Sequence, residues 1–370
     1  MVRSEAVVDL EAIRDNVTLL RSRTAAEVMA VVKADGYGHG AVPVARAALA
    51  AGATWLGACS LAEALELRAA GLTAPVLVWL DPVDTDYAPG VAANIDLTAT
   101  SVPQLTAIAA AASRAGRPAR VHLKIDTGLA RNGCPAPDWP ALVDAAAAAH
   151  RAGRIEVVAV WSHLACADEP GHPSIDHQAK RFDDAYQVAL AAGLKPLRHL
   201  ANSAATLTRP DLRFDLVRVG IAMYGLNPLP DKEDLRPAMT FRSSVAMVKR
   251  IPAGESVSYG HTWTAEHDTT LALVPAGYAD GVPRGLSGRF SVWLAGRRRP
   301  VVGRVCMDQI MVDCGDDPVA EGETVTLFGS GAHGGPTATE WADAMGTIDY
   351  EIVTGMYRPR VARTYLGTAQ

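Results

Sequence analysis

The sequence predicts an α/β fold, a (β/α)8 TIM-type barrel followed by a mostly β C-terminal domain, and three observations carry it. Eight short, nearly continuous apolar runs occur in order: "VMAVVKA", "WLGACS", "PVLVWL", "IDLTAT", "VHLKIDTG", "VVAVWSHLA", "PLRHLANS" and "LVRVGIAMYG". Alanine-rich segments such as "LAEALELRAAG" and "VPQLTAIAAAASRAG" separate them, several closed by a glycine suited to a helix C-cap. From about residue 236 the texture changes to period-two segments, "FRSSVAMVKRI", "TLALVPAGYAD" and "QIMVDCG", broken by Gly and Pro.

Each element follows from these patterns. "VVDLEAIRDNVTLLRSRT" reads as a short strand and an amphipathic helix ahead of the repeat. Strands that are apolar along their whole length, alternating with helices, imply a parallel sheet covered on both faces, and eight of them suggest closure into a barrel. An open doubly wound sheet is the alternative, but no G-x-G-x-x-G follows the first run. The expected division is residues 1–235 for the barrel and 236–370 for the β domain, with a boundary in "NPLPDKEDLRP" where proline and charge cluster. The triple arginine at 297–299 reads as a solvated hairpin turn without a function.

Composition narrows the function classes. A net charge of -5 with 20% charged residues leaves no basic stripe for nucleic acid. The N-terminal "MVRSEAVVDLEAIRDN" is too acidic for a signal peptide, and no run of about 18 apolar residues marks a membrane span. Five scattered cysteines, Cys59, Cys134, Cys166, Cys306 and Cys314, form no C-x-x-C pair, so neither a disulfide framework nor a zinc site is expected. The expectation is a soluble cytoplasmic protein acting on a small molecule, without a metal.

Barrels of this type work at the C-terminal ends of their strands, so the polar residues there form one group. The first run ends in Lys33 and Tyr37, the fifth carries Lys124, Asp126 and Arg131, and the sixth ends in His163. Asn202 and Ser203 end the seventh, Arg218 and Gly220 the eighth. Basic groups at three strand ends in an acidic chain suit an anion such as a carboxylate or phosphate. "ANSA" and "RVGIAMYG" supply a hydroxyl and glycine-flanked N–H groups for a phosphate. A lysine amine beside such a cradle suggests a Schiff base with pyridoxal phosphate, although class I aldolases also place a lysine in a barrel.

The motifs resemble those of the alanine racemase family over nearly the whole chain. "VVKADGYGHG", "HLKIDTGLARNG", "WSHLACAD", "ANSAAT", "VRVGIAMYG", "VSYGHTW", "GYADG" and "GRVCMDQ" match in order. The resemblance implies a barrel joined to a β domain, a pyridoxal 5'-phosphate cofactor and a homodimer with shared active sites. It implies that Lys33 holds the cofactor as a Schiff base, that Tyr37, Ser203, Gly220, Ile221 and Tyr350 bind its phosphate, and that Arg218 meets its ring nitrogen. Asn202 is grouped with these cofactor residues. His163 would sit between Arg218 and Tyr259, while Arg131 and the Met307 N–H would bind substrate carboxylate. Lys124 matches a lysine often carbamylated in the family. Tyr278 would narrow the site together with Tyr350, and Cys306 and Asp308 flank Met307 in a supporting role. Asp35 and Gly36 stand where many relatives carry Asn and Ala, and "RPRVARTY" is a looser match, so Arg358 and Arg360 receive no role.

The implied activity is interconversion of L- and D-alanine, supplying D-alanine for peptidoglycan. Racemisation through an external aldimine needs a base on each face of a planar carbanion, and Lys33 and Tyr259 are the two candidates. A phenol, with an ordinary pKa of about 10, serves as a base at neutral pH only beside positive charge, such as Arg218 with His163. Since Tyr259 lies in the second domain, a dimer solves the geometry. Alternatives are a broader racemase acting also on serine, a non-catalytic pyridoxal phosphate carrier, and a decarboxylase on a similar barrel.

Overall fold

The computed structural model describes residues 3–229 and 233–367. Part of the boundary segment "NPLPDKEDLRP" therefore lies outside the described residues. The structure divides into two compact units, one formed by residues 14–36 and 41–235, the other by residues up to 13, 37–40 and from 236 on.

After β1 (Ser4–Asp9), eight strands make one parallel sheet: β2 (Glu27–Val31), β3 (Trp55–Ala58), β4 (Val76–Val78), β5 (Asp96–Ala99), β6 (Ala119–Lys124), β7 (Ile155–Trp161), β8 (Leu197–His199) and β9 (Leu216–Val219). Each of β2 to β7 pairs with its successor, and β9 pairs in parallel with β2, where Met29 lies opposite Arg218. The seam between β8 and β9 is bridged by Asp215 N–H to Arg198 O at 3.2 Å and Arg218 N–H to Ala201 O at 3.0 Å. All eight predicted runs are thus strands of one near-barrel sheet. Met29, Trp55, Leu77, Val158, Trp161 and Leu216 form a buried cluster with Trp79 against it. Burying side chains of this size contributes about 1.5–3 kcal/mol each.

The intervening helices begin and end where the sequence signals them. Ser60 caps Leu61–Ala69 by accepting from Glu63 N–H, while the Glu63 carboxylate accepts from Ser60 N–H, a reciprocal box. Ser101 caps Val102–Ala115, which stops at left-handed Gly116. No helix among the described residues is long and apolar enough to cross a membrane.

The other unit is a nine-stranded sheet. Its strands are β1, β10 (Met239–Ser244), β11 (Met247–Ile251), β14 (Thr269–Val274), β15 (Ser291–Leu294), β16 (Arg297–Val302), β17 (Ile310–Gly315), β18 (Thr324–Phe328) and β19 (Ala362–Leu366), in the order β11-β14-β17-β16-β15-β18-β10-β1-β19. A separate two-stranded ribbon joins β12 (Ser256–Val257) to β13 (Trp263–Thr264). Phe241, Phe328, Phe290 and Trp341 pack ring to ring, with centroids 5.1–5.8 Å apart.

Two details differ from the sequence reading. β1, a short strand ahead of the barrel in the sequence, pairs outside the parallel sheet: it lies antiparallel to β10 and parallel to β19, partners more than 200 residues away that no local pattern could announce. The triple arginine is not a solvated turn, for the turn is Ala295–Gly296 and Arg297–Arg299 open β16. Arg299 is buried, donating to Leu294 O, Cys314 O and Asp317.

Candidate active site

Lys33 follows β2 after Val32, so its amine stands at the end of a strand buried over most of its length. Val32 N–H still bonds to Gly57 O at 2.8 Å, and then the chain turns left-handed: φ is 52° at Ala34, 49° at Asp35, 62° at Gly36 and 53° at Tyr37. For non-glycine residues this conformation costs about 1–2 kcal/mol each. The Asp35 carboxylate accepts from Ala41 N–H at 2.8 Å, and Glu63 accepts from Ala34 N–H at 2.9 Å and Cys59 N–H at 2.6 Å, so the turn is held from outside. Asp35 and Gly36 are residue types that tolerate this conformation, whereas Ala34 and Tyr37 are held in it by the surrounding structure. Burial lowers the Lys33 pKa from the ordinary lysine value, Arg131 pushes the same way, and Cys59 and Glu63 oppose.

Lys124 ends β6, 4% exposed, with Nζ 4.2 Å from the Trp161 ring centroid. Burial, then Arg218 and Arg131, bring its pKa down to about 7. The loop after it folds back on itself: Cys134 N–H bonds to Lys124 O at 2.8 Å and Asp126 N–H to Cys134 O at 2.9 Å. The Asp126 carboxylate accepts from Gly128 and Ala130 N–H, presenting Arg131 on an exposed tip.

Arg218 on β9 is buried, and among the described residues no carboxylate pairs with it. Its Nη2 donates to Ser162 O at 2.8 Å, Leu200 O at 3.1 Å and His163 Nδ1 at 3.1 Å, and its Nη1 to His199 Nδ1 at 3.2 Å. Burial lowers its pKa to about 9, leaving the guanidinium charged at neutral pH. His163 is held well below its ordinary pKa by burial, then by Arg218, Arg131, Lys124 and Lys33. It is therefore a neutral imidazole whose Nδ1 accepts.

Ser203 Oγ accepts from Gly220 N–H at 2.8 Å and Ala222 N–H at 3.4 Å, so a hydroxyl and two amides converge beside the start of the Ser203–Thr208 helix and the Ile221–Tyr224 turn. Asn202 caps that helix, its Oδ1 accepting from Ala205 N–H at 3.1 Å. This donor set fits a phosphate, and a buried guanidinium with only neutral protein acceptors fits a heteroaromatic ring nitrogen. The residues present thus suit pyridoxal phosphate.

The remaining predicted residues lie in the β unit. Tyr37 and Tyr350 meet with ring centroids 5.8 Å apart. Tyr259 stands 71% exposed in a turn with Ser258 at φ 67° and Gly260 at φ 74°. Ser258, Tyr259, Gly260, His261, Cys306 and Gln309 line a recess of about 340 Å³. Ser258 Oγ donates to Arg304 O at 2.7 Å, tying this turn to the segment bearing Cys306 and Met307. Tyr278 N–H bonds to Cys306 O, and Ala279 N–H to Met307 O, both at 3.0 Å. Tyr259, Tyr278, Cys306, Met307 and Asp308 are thereby organised on adjoining segments. Arg360, given no role from sequence, pairs with Asp308 at 2.7 Å and buried Asp280 at 3.5 Å. Sequence reading also passed over Glu63, whose capping pattern with Ser60 was its only signal.

A near-barrel parallel sheet with an amine, a buried guanidinium and an anion cradle at the carboxyl ends of its strands, joined to a β domain, defines a class of two-domain barrel enzyme. The alanine racemase N-terminal domain profile matches residues 8–228 and the C-terminal domain profile residues 238–365. The chain belongs to the alanine racemase family. It is 58% identical over 369 residues to alanine racemase of Salinispora arenicola, covering 99% of each chain. Among solved structures, alanine racemase of Streptomyces lavendulae superposes with a TM-score of 0.97 at 50% identity, covering 100% of this chain and 98% of that one. Alanine racemase of Streptomyces coelicolor gives 0.96 at 50% identity, covering 99% and 98%.

Proposed function

We propose that this protein interconverts L-alanine and D-alanine with pyridoxal 5'-phosphate as cofactor, as a homodimer in which residues 236–370 of one subunit complete the site of the other's barrel, residues 1–235. The observation that carries the reading is the half-buried amine of Lys33 at a strand end, its pKa lowered, in a barrel that also holds Arg218 without a carboxylate.

Lys33 would hold the cofactor's aldehyde carbon. Tyr37, Ser203, Gly220, Ile221 and Tyr350 would hold its phosphate, with Asn202 capping the helix that Ser203 begins. Pyridoxal phosphate, when bound, supplies an electron sink for the pair left when an amino acid's Cα proton departs. Arg218 would donate to the ring nitrogen without surrendering its proton, because a guanidinium stays charged at neutral pH, and this limits side reactions that need a protonated ring. Arg131 and the Met307 N–H would grip the substrate carboxylate, fixing which face of Cα meets which base.

Lys33 Nζ would take the Cα proton of the D-isomer, and the phenol oxygen of Tyr259 from the partner subunit would exchange the proton on the opposite face. His163 Nε2, protonated because Nδ1 accepts from Arg218, is the atom left to orient Tyr259. Tyr278 and Tyr350 would narrow the mouth to a small side chain, and Asp308 and Cys306 would hold Met307 in place. Lys124, with a pKa of about 7, has a neutral amine fraction whose nitrogen can bond to the carbon of carbon dioxide, losing a proton and giving a carbamate. Arg218 and Arg131 would stabilise that anion. We place the enzyme in the cytoplasm, supplying D-alanine for peptidoglycan.

The test is turnover of both isomers in deuterated water by the wild type, Lys33→Ala and Tyr259→Phe, alongside the absorbance of the purified protein. Solvent deuterium entering Cα, lost in Lys33→Ala together with the cofactor band, and selective failure of Tyr259→Phe on L-alanine would support the reading. A band without exchange in either isomer would overturn the activity, and faster turnover of serine would overturn the alanine preference.

A further inference from the structure

Behind Arg218 the barrel interior carries a polar chain that the reaction as described does not use. Asp96 on β5, His122 on β6 and His199 on β8 are each 0% exposed. His122 Nε2 lies 3.0 Å from Asp96 Oδ2, His122 Nδ1 lies 3.0 Å from His199 Nε2, and His199 Nδ1 lies 3.2 Å from Arg218 Nη1. Beyond Asp96 stands Arg120, whose Nε and Nη2 reach the two carboxylate oxygens at 2.7 and 3.1 Å. The rings are held by aromatic neighbours: Trp161 stacks on His199 at 5.3 Å with planes 10° apart, and Trp55 meets His122 edge-on at 5.6 Å.

The protons in this chain have one arrangement. Arg218 can only donate, so His199 Nδ1 must accept and its Nε2 must carry hydrogen. His122 Nδ1 must then accept from His199, leaving His122 Nε2–H to donate to Asp96. An imidazolium at either position would oppose donor to donor. Nη1 and Nη2 of the buried guanidinium are thus each aimed by neutral acceptors, and the nearest negative charge on this line, Asp96, stands two imidazoles away.

We propose that Asp96, His122 and His199 are positioning residues that set the orientation and donor strength of Arg218, a carboxylate acting on it through two tautomer-locked imidazoles. The inference rests on the reading of Arg218 as the ring-nitrogen partner. A carboxylate bonded directly to Arg218 would compete with the cofactor for its donors, whereas two neutral imidazoles fix the plane of the guanidinium and leave most of its charge uncompensated. Arg218 is also faced by His163, the Trp161 ring at 4.9 Å, and the charge of Lys124. None of these supplies a negative charge.

The test reads tautomers directly. Nitrogen-15 spectra of the histidine-labelled holoenzyme should show His122 and His199 both neutral with hydrogen on Nε2, and an Nδ1–H tautomer or an imidazolium at either position in the wild type would overturn the proposal. In Asp96→Asn the amide oxygen keeps the position that accepts from His122 Nε2 and Arg120 Nη2, so both tautomers stay and only the negative charge at the end of the chain is lost. The cofactor absorbance band should then shift and kcat fall roughly 10- to 100-fold with KM within about twofold, as for residues that act by orienting a group at the chemistry. Arg120→Gln removes the outer ion pair but no imidazole bond, and should keep both tautomers and kcat within about twofold. Equal losses of kcat in Asp96→Asn and Arg120→Gln would overturn the proposal. Absence of a cofactor band or of racemisation in the wild type would strike at the proposed function instead, while the tautomer measurement stands apart from both.

Discussion

Replacing Gly133 by alanine tests how the Arg131 loop is built. Gly133 has φ 140°, and a Cβ there would lie 2.6 Å from Asp126 N, 2.8 Å from Ile125 C and 3.0 Å from Asp126 Cα. These are backbone atoms of the strand end that carries Lys124, so they cannot swing aside. The bridge that closes the loop has to open, losing the bonds from Cys134 N–H to Lys124 O and from Asp126 N–H to Cys134 O. At about 0.5–1.5 kcal/mol per bond, with about 1 kcal/mol for the unsuitable φ, the loop loses about 2–4 kcal/mol of local stability. If Arg131 grips the substrate carboxylate as proposed, a charge-assisted bond of that kind contributes about 1.5–3 kcal/mol, and its misplacement should raise KM about 10- to 100-fold. Steady-state racemisation of alanine, with circular dichroism and thermal unfolding on the same samples, checks this. Gly116→Ala is the control: it also has positive φ, at 67°, but no atom within 4 Å of the new Cβ, and should leave KM unchanged. A folded Gly133→Ala protein with KM within about twofold of wild type would refute the reasoning.

Three further outcomes follow from the same structure. Lys124 keeps its proton in the unfolded chain up to the ordinary lysine value of 10.5 but releases it in the folded protein near pH 7, so in that window the unfolded chain binds more protons and stability rises with pH. Lys124→Met should flatten that rise, measured by urea midpoints from pH 7 to 10 on the unmodified protein. Trp341→Ala removes the helix residue at the centre of the aromatic cluster packed with Phe290 and Phe328 and should cost about 3–5 kcal/mol by denaturant titration. Ser203→Ala deprives Gly220 N–H of its acceptor and the cradle of its hydroxyl, so cofactor affinity should fall about tenfold by dialysis titration, with little change in melting temperature of the cofactor-free protein.

The barrel was legible because its signal is local. Eight apolar runs at regular intervals leave few ways to bury both faces of each strand. The strand-end residues could be grouped for the same reason, since once the runs are strands their ends are known. Lys33, Lys124, His163, Ser203 and Arg218 are found within that grouping. Other features gave no such signal. Asp96 and His122 are 26 residues apart and His122 and His199 are 77 apart, and nothing local to any of the three strands announces its partner. Arg299 read as solvated because its acceptors, Leu294 O and Cys314 O, lie on a hairpin and a neighbouring strand. Glu63 looked like one more surface charge on an alanine-rich helix.

By itself, then, the sequence determined the class of fold, the order of its elements and the chemical types available at the strand ends, because periodicity and caps act within about one or two turns of chain. Tertiary structure alone decided which strand β1 would pair with, that "ADG" would turn left-handed behind Lys33, and that a carboxylate and two imidazoles would line up behind Arg218. Those outcomes depend on the register of parallel strands, and one residue of slip would turn each side chain to the opposite face.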